Sequence, residues 1–308
     1  YEYNNRNLVT KTQSYDKEGT KTLISRYRYD DYGQLLEMTD YRVSSETETA
    51  YRYTEYTYDQ RGRITAFAEI SQNAQPTADD IKAHQIRYTY NEDGNLSKVS
   101  YPTTKDGIQS LSYIYDENGW LQEIKGELHS KGQTTEKVLR SYTYDTFGRL
   151  VKTVTTDYKK NDQTKTITYT YDNVGNRLKE DDGTTTTSYT YNGLDQLKTS
   201  TKEKGTAVEE VRQYDYDANG NQTDVKNTKT GENQTYVYDA ENRLSQVSVT
   251  KDGKTAVIQQ NIYNGEGQRI QKVDGDETTN YYYQNGVVAY TTDANGEQNS
   301  QNLIGTDG

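Results

Sequence analysis

Residues 142–150 read Tyr-Thr-Tyr-Asp-Thr-Phe-Gly-Arg-Leu, and close relatives of this block recur along the chain. The form Tyr-x-Tyr-Asp/Asn-x-x-Gly-x-Leu/Ile begins at Tyr27, Tyr56, Tyr88, Tyr113 and Tyr142, and looser copies begin at Tyr169, Tyr189, Tyr214, Tyr236 and Asn261. Successive blocks are 20–32 residues apart. A fixed block at this period is typical of repeat proteins, in which each unit packs mainly on its neighbours.

Each block predicts a β-hairpin. Tyr169 and Tyr171 are two residues apart in an alternating, Thr-rich segment, so both side chains project from the same face of a strand. Asp172 and Gly175 then favour a tight turn, because Asp bonds its own backbone and Gly accepts a positive φ. Variable turns such as Asp182-Gly183 lead into the next strand. We therefore predict an all-β fold of tandem antiparallel β-hairpin repeats that form a long, curled or spiralling sheet.

The composition predicts a thin core. Leu, Ile, Val and Phe together make up 47 of the 308 residues, a fraction that usually indicates disorder when the net charge is high. The chain also contains 32 tyrosines, most of them in the periodic pairs. Because one tyrosine can bury about 150–250 Å² while its hydroxyl stays hydrogen-bonded, the pairs can order a sheet with few aliphatic residues.

We expect residues 1–308 to form a single array of about ten hairpin repeats. Since Tyr1 falls inside a degenerate copy of the block, we also expect the chain to be a fragment of a larger protein. Residues 71–85 interrupt the period and contain Pro76, so they are predicted to be a loop insertion with a short helical turn over 78–83. Residues 286–308 are predicted to be the end of the array.

The candidate site residues are structural. The motif positions are the tyrosine pairs with the Asp and Gly of the turn: Tyr27, Tyr29, Asp30, Gly33, Tyr56, Tyr58, Asp59, Gly62, Tyr88, Tyr90, Gly94, Tyr113, Tyr115, Asp116, Gly119, Tyr142, Tyr144, Asp145, Gly148, Tyr169, Tyr171, Asp172, Gly175, Tyr189, Tyr191, Tyr214, Tyr216, Asp217, Gly220, Tyr236, Tyr238 and Asp239. We predict that the paired rings pack on neighbouring strands as a ladder.

Two further aromatic residues are candidates for stacking on a ligand. Trp120 replaces the Arg or Asn that usually follows the turn glycine, and Tyr282 is the middle residue of Tyr281-Tyr282-Tyr283, which places a ring on each face of a strand. The alternative for both residues is packing within the sheet.

The sequence argues against other chemistry. The net charge of −11 disfavours a nucleic-acid partner, and no apolar run is long enough to span a membrane. The segments after Asp217 and Asp293 depart from a calcium-binding loop and read as turns. His84 and His129 stand alone, and the chain has no cysteine. We therefore predict no catalytic residues, no metal and no cofactor.

The blocks closely resemble the YD repeats of the Rhs family, which also occur in wall-associated proteins, in the shells of insecticidal toxin complexes and in teneurins. Residues 142–150 and 169–178 match the repeat best. The resemblance covers essentially the whole chain. It implies a strip of β-hairpins that spirals into a hollow shell and encloses a C-terminal toxin domain.

Two functions follow as hypotheses. The first is a non-enzymatic shell or scaffold segment of a secreted or cell-surface bacterial protein, whose partners are further YD repeats and toxin cargo of the same parent chain. The alternative is a cell-surface binding module in which loops and exposed rings recognise cell-wall carbohydrate or a protein partner.

Overall fold

The computed structural model describes residues 1–16, 18–71, 76–102, 106–284 and 286–301. Within these ranges the chain forms 25 strands, one short α-helix and one 3₁₀ helix. The predicted fold class is confirmed: the protein is all-β and consists of tandem antiparallel hairpins. Part of the predicted loop insertion, 72–75, and part of the predicted end of the array, 302–308, lie outside the described residues.

The first twelve strands are β1 (Glu2–Tyr3), β2 (Val9–Tyr15), β3 (Lys21–Tyr29), β4 (Leu35–Ser44), β5 (Thr47–Tyr58), β6 (Ile64–Ile70), β7 (Gln85–Tyr90), β8 (Leu96–Ser100), β9 (Gly107–Tyr115), β10 (Leu121–Ser130), β11 (Gln133–Tyr144) and β12 (Leu150–Asp157). The remaining strands are β13 (Gln163–Tyr171), β14 (Arg177–Asp181), β15 (Thr185–Tyr191), β16 (Leu197–Lys204), β17 (Ala207–Tyr216), β18 (Gln222–Asn227), β19 (Asn233–Tyr238), β20 (Leu244–Lys251), β21 (Lys254–Tyr263), β22 (Arg269–Asp274), β23 (Glu277–Gln284), β24 (Val287–Thr292) and β25 (Gln298–Gln301). The helices are α1 (Ala78–His84) and the 3₁₀ helix Tyr158–Lys160.

The chain divides into two compact units. The first comprises Tyr1–Gly148 and Thr153–Lys165, and the second comprises Arg149–Lys152 and Thr166–Gly308. In the first unit each strand from β1 to β11 pairs antiparallel with the next strand of the chain. In the second unit the strands from β13 to β25 pair in the same way. Each unit is therefore a meander.

Within the described residues, the first unit has a small apolar core and an ion pair between the buried Asp40 and the half-buried Arg52. Its buried apolar side chains are Ile24, Ala66, Ala68, Ile70, Val99 and Leu128. Asp40 on β4 is 2% exposed; it accepts hydrogen bonds from Ser25 Oγ at 2.5 Å and from Arg52 Nε at 2.6 Å. Ser25 and Arg52 lie opposite Asp40 on β3 and β5, so the buried carboxylate joins three consecutive strands.

The second unit has an even thinner core. Among its described residues, Val225 and Val247 are the buried apolar side chains, whereas Ser248, Asn261, Thr291 and Thr292 are buried polar ones. Buried polar groups are tolerated only when they are hydrogen-bonded. Asn261, for example, donates its amide Nδ2 to the carbonyl oxygen of Leu244 at 2.9 Å. Order in this unit therefore depends heavily on hydrogen bonds.

Between β6 and β7, the segment 71–85 contains α1. Thr77 caps this helix: its hydroxyl accepts from the Asp80 backbone N–H, and the Asp80 carboxylate accepts from the Thr77 N–H. This reciprocal capping box explains why the helix begins at Ala78, the residue after the cap Thr77. The helix runs to His84, one residue beyond the predicted helical turn.

The four-residue turn that follows each tyrosine pair begins at an Asp or Asn and has one repeated backbone geometry, and we call it the corner. Its fourth residue is usually Gly, but Asp195 and Asn242 take that place with φ of +59° and +61°. In the corner at 116–119, the Gly119 N–H donates to Asp116 O at 3.0 Å, and the Asp116 N–H donates to Trp120 O at 2.9 Å. Gly119 has a φ of +80° and Gly148 a φ of +79°. Side chains other than glycine are strained in this region by about 1–2 kcal/mol.

Gly119→Ala and Gly148→Ala form a matched pair that separates backbone strain from packing. A Cβ at Gly119 meets nothing within 4 Å, whereas a Cβ at Gly148 would lie 2.6 Å from Trp120 Cζ2. We expect Gly119→Ala to lower the free energy of unfolding by about 1–2 kcal/mol and Gly148→Ala by about 1–3 kcal/mol more. Urea unfolding measures both. Equal losses in the free energy of unfolding would show that the close approach of Trp120 to Gly148 does not affect stability.

Candidate functional site at the repeat corners

The corner carboxylates act as acceptors for their own turns. Asp59 Oδ1 accepts from the backbone N–H groups of Arg61 at 2.8 Å and Arg63 at 3.0 Å. The same bonds, from the residues two and four positions later, are made by Asp30, Asp116, Asp217, Asp239 and Asp293. Asn192 and Asn264 make them with an amide oxygen. The corner thus needs an acceptor at this position, and either Asp or Asn supplies it.

These bonds favour the ionised carboxylate. The backbone N–H of Arg63 lowers the pKa of Asp59. The side-chain amide of Asn221, followed by backbone N–H groups, lowers the pKa of Asp217. Hydrogen bonds to the charged form stabilise it, so the donors of the turn itself stabilise each negative charge. Both corners, including the one at Asp217 that was compared with a calcium loop, use their carboxylates as turn acceptors.

The second tyrosine of each pair connects its hairpin to the preceding one. Tyr144 donates its hydroxyl to the carbonyl oxygen of Leu121 at 2.8 Å, across 23 residues of sequence. Eleven such bonds, of 2.7–3.0 Å, are made by Tyr29, Tyr58, Tyr90, Tyr115, Tyr144, Tyr171, Tyr191, Tyr216, Tyr238, Tyr263 and Tyr283. Each acceptor is the carbonyl of a residue at or near the start of a strand in the preceding hairpin. We call this set the hydroxyl ladder.

The residue four positions after the corner Asp or Asn makes a second connection, and we call it the bridging residue. Arg63 donates Nε to Asp59 Oδ2 at 2.8 Å and Nη1 to the Gly94 carbonyl of the next corner at 3.3 Å. Its guanidinium carbon lies 4.1 Å from the centre of the Tyr90 ring, a cation–π distance. Arg243 repeats all three contacts with Asp239, Asn264 and Tyr263.

Trp120 occupies a bridging position. Its ring centre lies 5.5 Å from that of Tyr144, with the planes tilted by 47°. The indole therefore takes the place over the second tyrosine that a guanidinium takes in the Arg63 and Arg243 repeats.

A model of the Teneurin YD-shell family matches residues 1–205 of the sequence, two thirds of the chain.

The chain belongs to the teneurin YD-shell family. YD-shell architecture is thus established by the sequence model together with the regular corners described above. No curated protein matches the sequence.

Solved structures also contain chains that resemble this YD-shell chain. In the crystal structure of TcdB2-TccC3-Cdc42, the match has 14% identity and a TM-score of 0.42, and covers 91% of this chain and 19% of the other. In the Tc holotoxin pore of Photorhabdus luminescens, the match has 15% identity and a TM-score of 0.33, and covers 93% and 20%. This chain therefore spans about a fifth of the length of those chains. Within the described residues, no helix is long and apolar enough to cross a membrane.

The first tyrosine of each pair lies on the same strand face as the second and is half-buried. Burial raises the pKa of Tyr56, Tyr113, Tyr189 and Tyr236. Within the described residues, Tyr56 packs on Phe67 with ring centres 5.2 Å apart. The ladder of paired rings stays a prediction. The sequence reasoning missed the hydroxyl ladder, although the choice of Tyr over Phe at the second position was a signal for it.

The two stacking candidates both have aromatic partners within the chain. Tyr282 on β23 stacks on Tyr290 of β24, with ring centres 4.3 Å apart and an angle of 9° between the planes. Trp120 packs on Tyr144. Ligand stacking at these residues stays a prediction.

The histidines have local partners, because His84 Nδ1 contacts Asp80 O and His129 Nδ1 contacts Thr134 Oγ1. The described residues contain no group of three metal-ligating side chains.

Removal of one ladder hydroxyl tests the inter-hairpin bond. Tyr144→Phe keeps the ring but leaves the Leu121 carbonyl without this donor, so we expect a loss of about 1 kcal/mol in the free energy of unfolding. Tyr32→Phe is the matched control, since the Tyr32 ring is 88% exposed, and should have no measurable effect. If the two variants unfold alike in urea, the ladder bond contributes nothing.

The corner carboxylates predict a loss of stability in acid. Because the folded pKa of Asp59 and of Asp217 is lowered, each contributes stability above its unfolded pKa of about 3.9 and loses it as the pH falls through the folded value. We expect the double variant Asp59→Asn/Asp217→Asn to show a smaller drop in melting temperature than the wild type between about pH 5 and pH 3. Asp31→Asn, at an exposed corner position, controls for the lost charge. An unchanged pH profile in the double variant would contradict the assignment.

Proposed function

We propose that this chain is part of the wall of a YD-repeat shell in a secreted bacterial protein, where it helps to enclose or present a C-terminal toxin or effector domain. The hydroxyl ladder is the observation that carries the proposal. It joins each hairpin to the preceding one by a bond from a side chain to the backbone, independently of the strand pairing between them. Such a wall resists separation of its hairpins with very little apolar core.

The residues of the motif support a structural role because their polar groups are used within the wall. The corner carboxylates are bonded to backbone N–H groups, and the ladder hydroxyls are bonded to carbonyls. Arg63 bridges two corners. A group that is fixed by such bonds serves positioning rather than turnover. We accordingly propose no catalytic role for the motif residues.

Family membership supports the same proposal. A YD shell is built from many repeats, and the partners expected for this chain are therefore further YD repeats and the enclosed cargo of the same parent protein. The array of about ten repeats over 1–308 is proposed as one stretch of that wall. Since stability in repeat proteins depends on neighbouring units, each hairpin contributes to the integrity of the next.

The test uses a parent protein in which this segment precedes a C-terminal domain. In the wild type, we expect the C-terminal domain to resist a protease at a concentration that digests the isolated domain. The variant Tyr171→Phe/Tyr191→Phe/Tyr216→Phe, which removes three consecutive ladder hydroxyls, should make the domain more sensitive. Tyr32→Phe and Tyr282→Phe, which lie outside the ladder, are the controls. Equal sensitivity of the isolated domain and the intact wild type would contradict enclosure.

A further inference from the structure

Asp116 lacks a side-chain contact that several equivalent carboxylates have. In other corners, the second carboxylate oxygen accepts from the bridging residue: Asp59 from Arg63 at 2.8 Å, Asp239 from Arg243 at 2.7 Å, Asp172 from Asn176 at 3.0 Å and Asp217 from Asn221 at 2.9 Å. Among the described residues, the side-chain hydrogen bonds of Asp116 both go to Oδ1, from the backbone N–H groups of Asn118 and Trp120. No Lys or Arg of the described ranges forms an ion pair with this carboxylate.

At Asp116, the bridging residue Trp120 accounts for the missing contact. An indole at the bridging position packs over Tyr144 but does not offer the donors of a guanidinium to its own corner. In the described part of the chain, its Nε1 makes no bond to the next corner, unlike the Nη1 of Arg63 or Arg243. A residue that departs from a repeated pattern, without replacing the lost bonds, is a candidate for a functional role.

An open groove lies at this junction. It has a volume of about 450 Å³ and is lined by side chains that include Asp116, Trp120, Gln122, Tyr142, Tyr144 and Asp145. Trp120 and Asp116 thus line the same space. All of these residues belong to the first unit.

The same chain shows which group fits a corner carboxylate beside an aromatic ring. At Asp59 and Asp239, that group is a guanidinium. Arg63 contacts Asp59 through Nε and Nη2, and Arg243 contacts Asp239 through Nε. Each guanidinium also stacks on the second tyrosine of the next repeat. Arginine suits such a site because its planar fork pairs with a carboxylate while its face stacks on an aromatic ring. The net charge of −11 adds long-range attraction for a basic partner.

We infer that the groove beside Trp120 binds an arginine side chain of a partner polypeptide. The guanidinium pairs with Asp116 and stacks on the indole of Trp120, and thereby supplies in trans the contact that Arg63 and Arg243 supply in cis. Another groove, of about 740 Å³, lies at the Gln34 junction. There the amide Nε2 of the bridging residue Gln34 donates to the Gly62 carbonyl of the next corner at 3.2 Å, and no aromatic ring stands at the bridging position.

Trp120 is the sole tryptophan of the sequence, so its fluorescence reports the site directly. The 308-residue chain is titrated with the peptide acetyl-Gly-Arg-Gly-amide and, in parallel, with the same peptide carrying uncharged citrulline. We expect a saturable change in Trp120 emission with the arginine peptide, weakened by added salt, and none with the citrulline peptide.

Two variants identify the contacts. Asp116→Asn keeps the turn acceptor, as Asn192 and Asn264 do, but removes the charge, and should weaken binding about tenfold or more. Trp120→Arg supplies the guanidinium from the chain itself and should abolish binding, measured by calorimetry. Circular dichroism confirms that both variants are folded.

Three results would overturn the inference: no saturable change with the arginine peptide, equal binding of the citrulline or a lysine peptide, or unchanged affinity in Asp116→Asn. A saturable response to a cell-wall oligosaccharide, with none to the arginine peptide, would also overturn it and would assign the groove to carbohydrate.

Discussion

The hydrogen bond from the second tyrosine of each repeat to a backbone carbonyl of the preceding hairpin is the contact on which the rest of the structure depends. Strand pairing alone would leave the hairpins as a meander with few apolar contacts between them. The hydroxyl ladder adds a second, regularly spaced connection on the tyrosine face. It lets the ring cover the sheet while the hydroxyl satisfies a carbonyl, so one residue type serves both packing and hydrogen bonding.

The corners make this arrangement repeatable. A corner acceptor such as Asp59 fixes the turn through two backbone N–H groups, and the bridging residue ties that turn to the next one. The turn therefore sets where the following strand begins, and with it where the acceptor carbonyl of the ladder lies. Register errors are costly in a sheet, because a shift by one residue moves every side chain to the opposite face.

Variation among the repeats follows from the different roles of the corner acceptor and the bridging residue. The acceptor position accepts Asp or Asn, since both supply an oxygen, and Asn192 makes the same turn as Asp217. At the bridging position, Arg63, Asn176 and Gln34 each carry a donor that reaches the neighbouring corner. Trp120 is different, because it keeps the aromatic packing and gives up the polar bridge. One substitution thus changes the chemistry of a groove at a repeat junction.

The sequence by itself determined the repeat, the strands, the position of each corner and the all-β class, because these depend on local rules: alternation, turn chemistry and the φ of a glycine. It also indicated a short helical turn over 78–83, within the insertion that contains Pro76. Only the tertiary structure decided what the tyrosine hydroxyls bond, that Asp40 is buried with Arg52, and that Trp120 leaves Asp116 without a guanidinium. The carbonyls that accept from the tyrosine hydroxyls lie 14–26 residues away in sequence and are brought near by the lateral packing of the hairpins. The identity of a residue carries no information about which carbonyl the fold will place beside it.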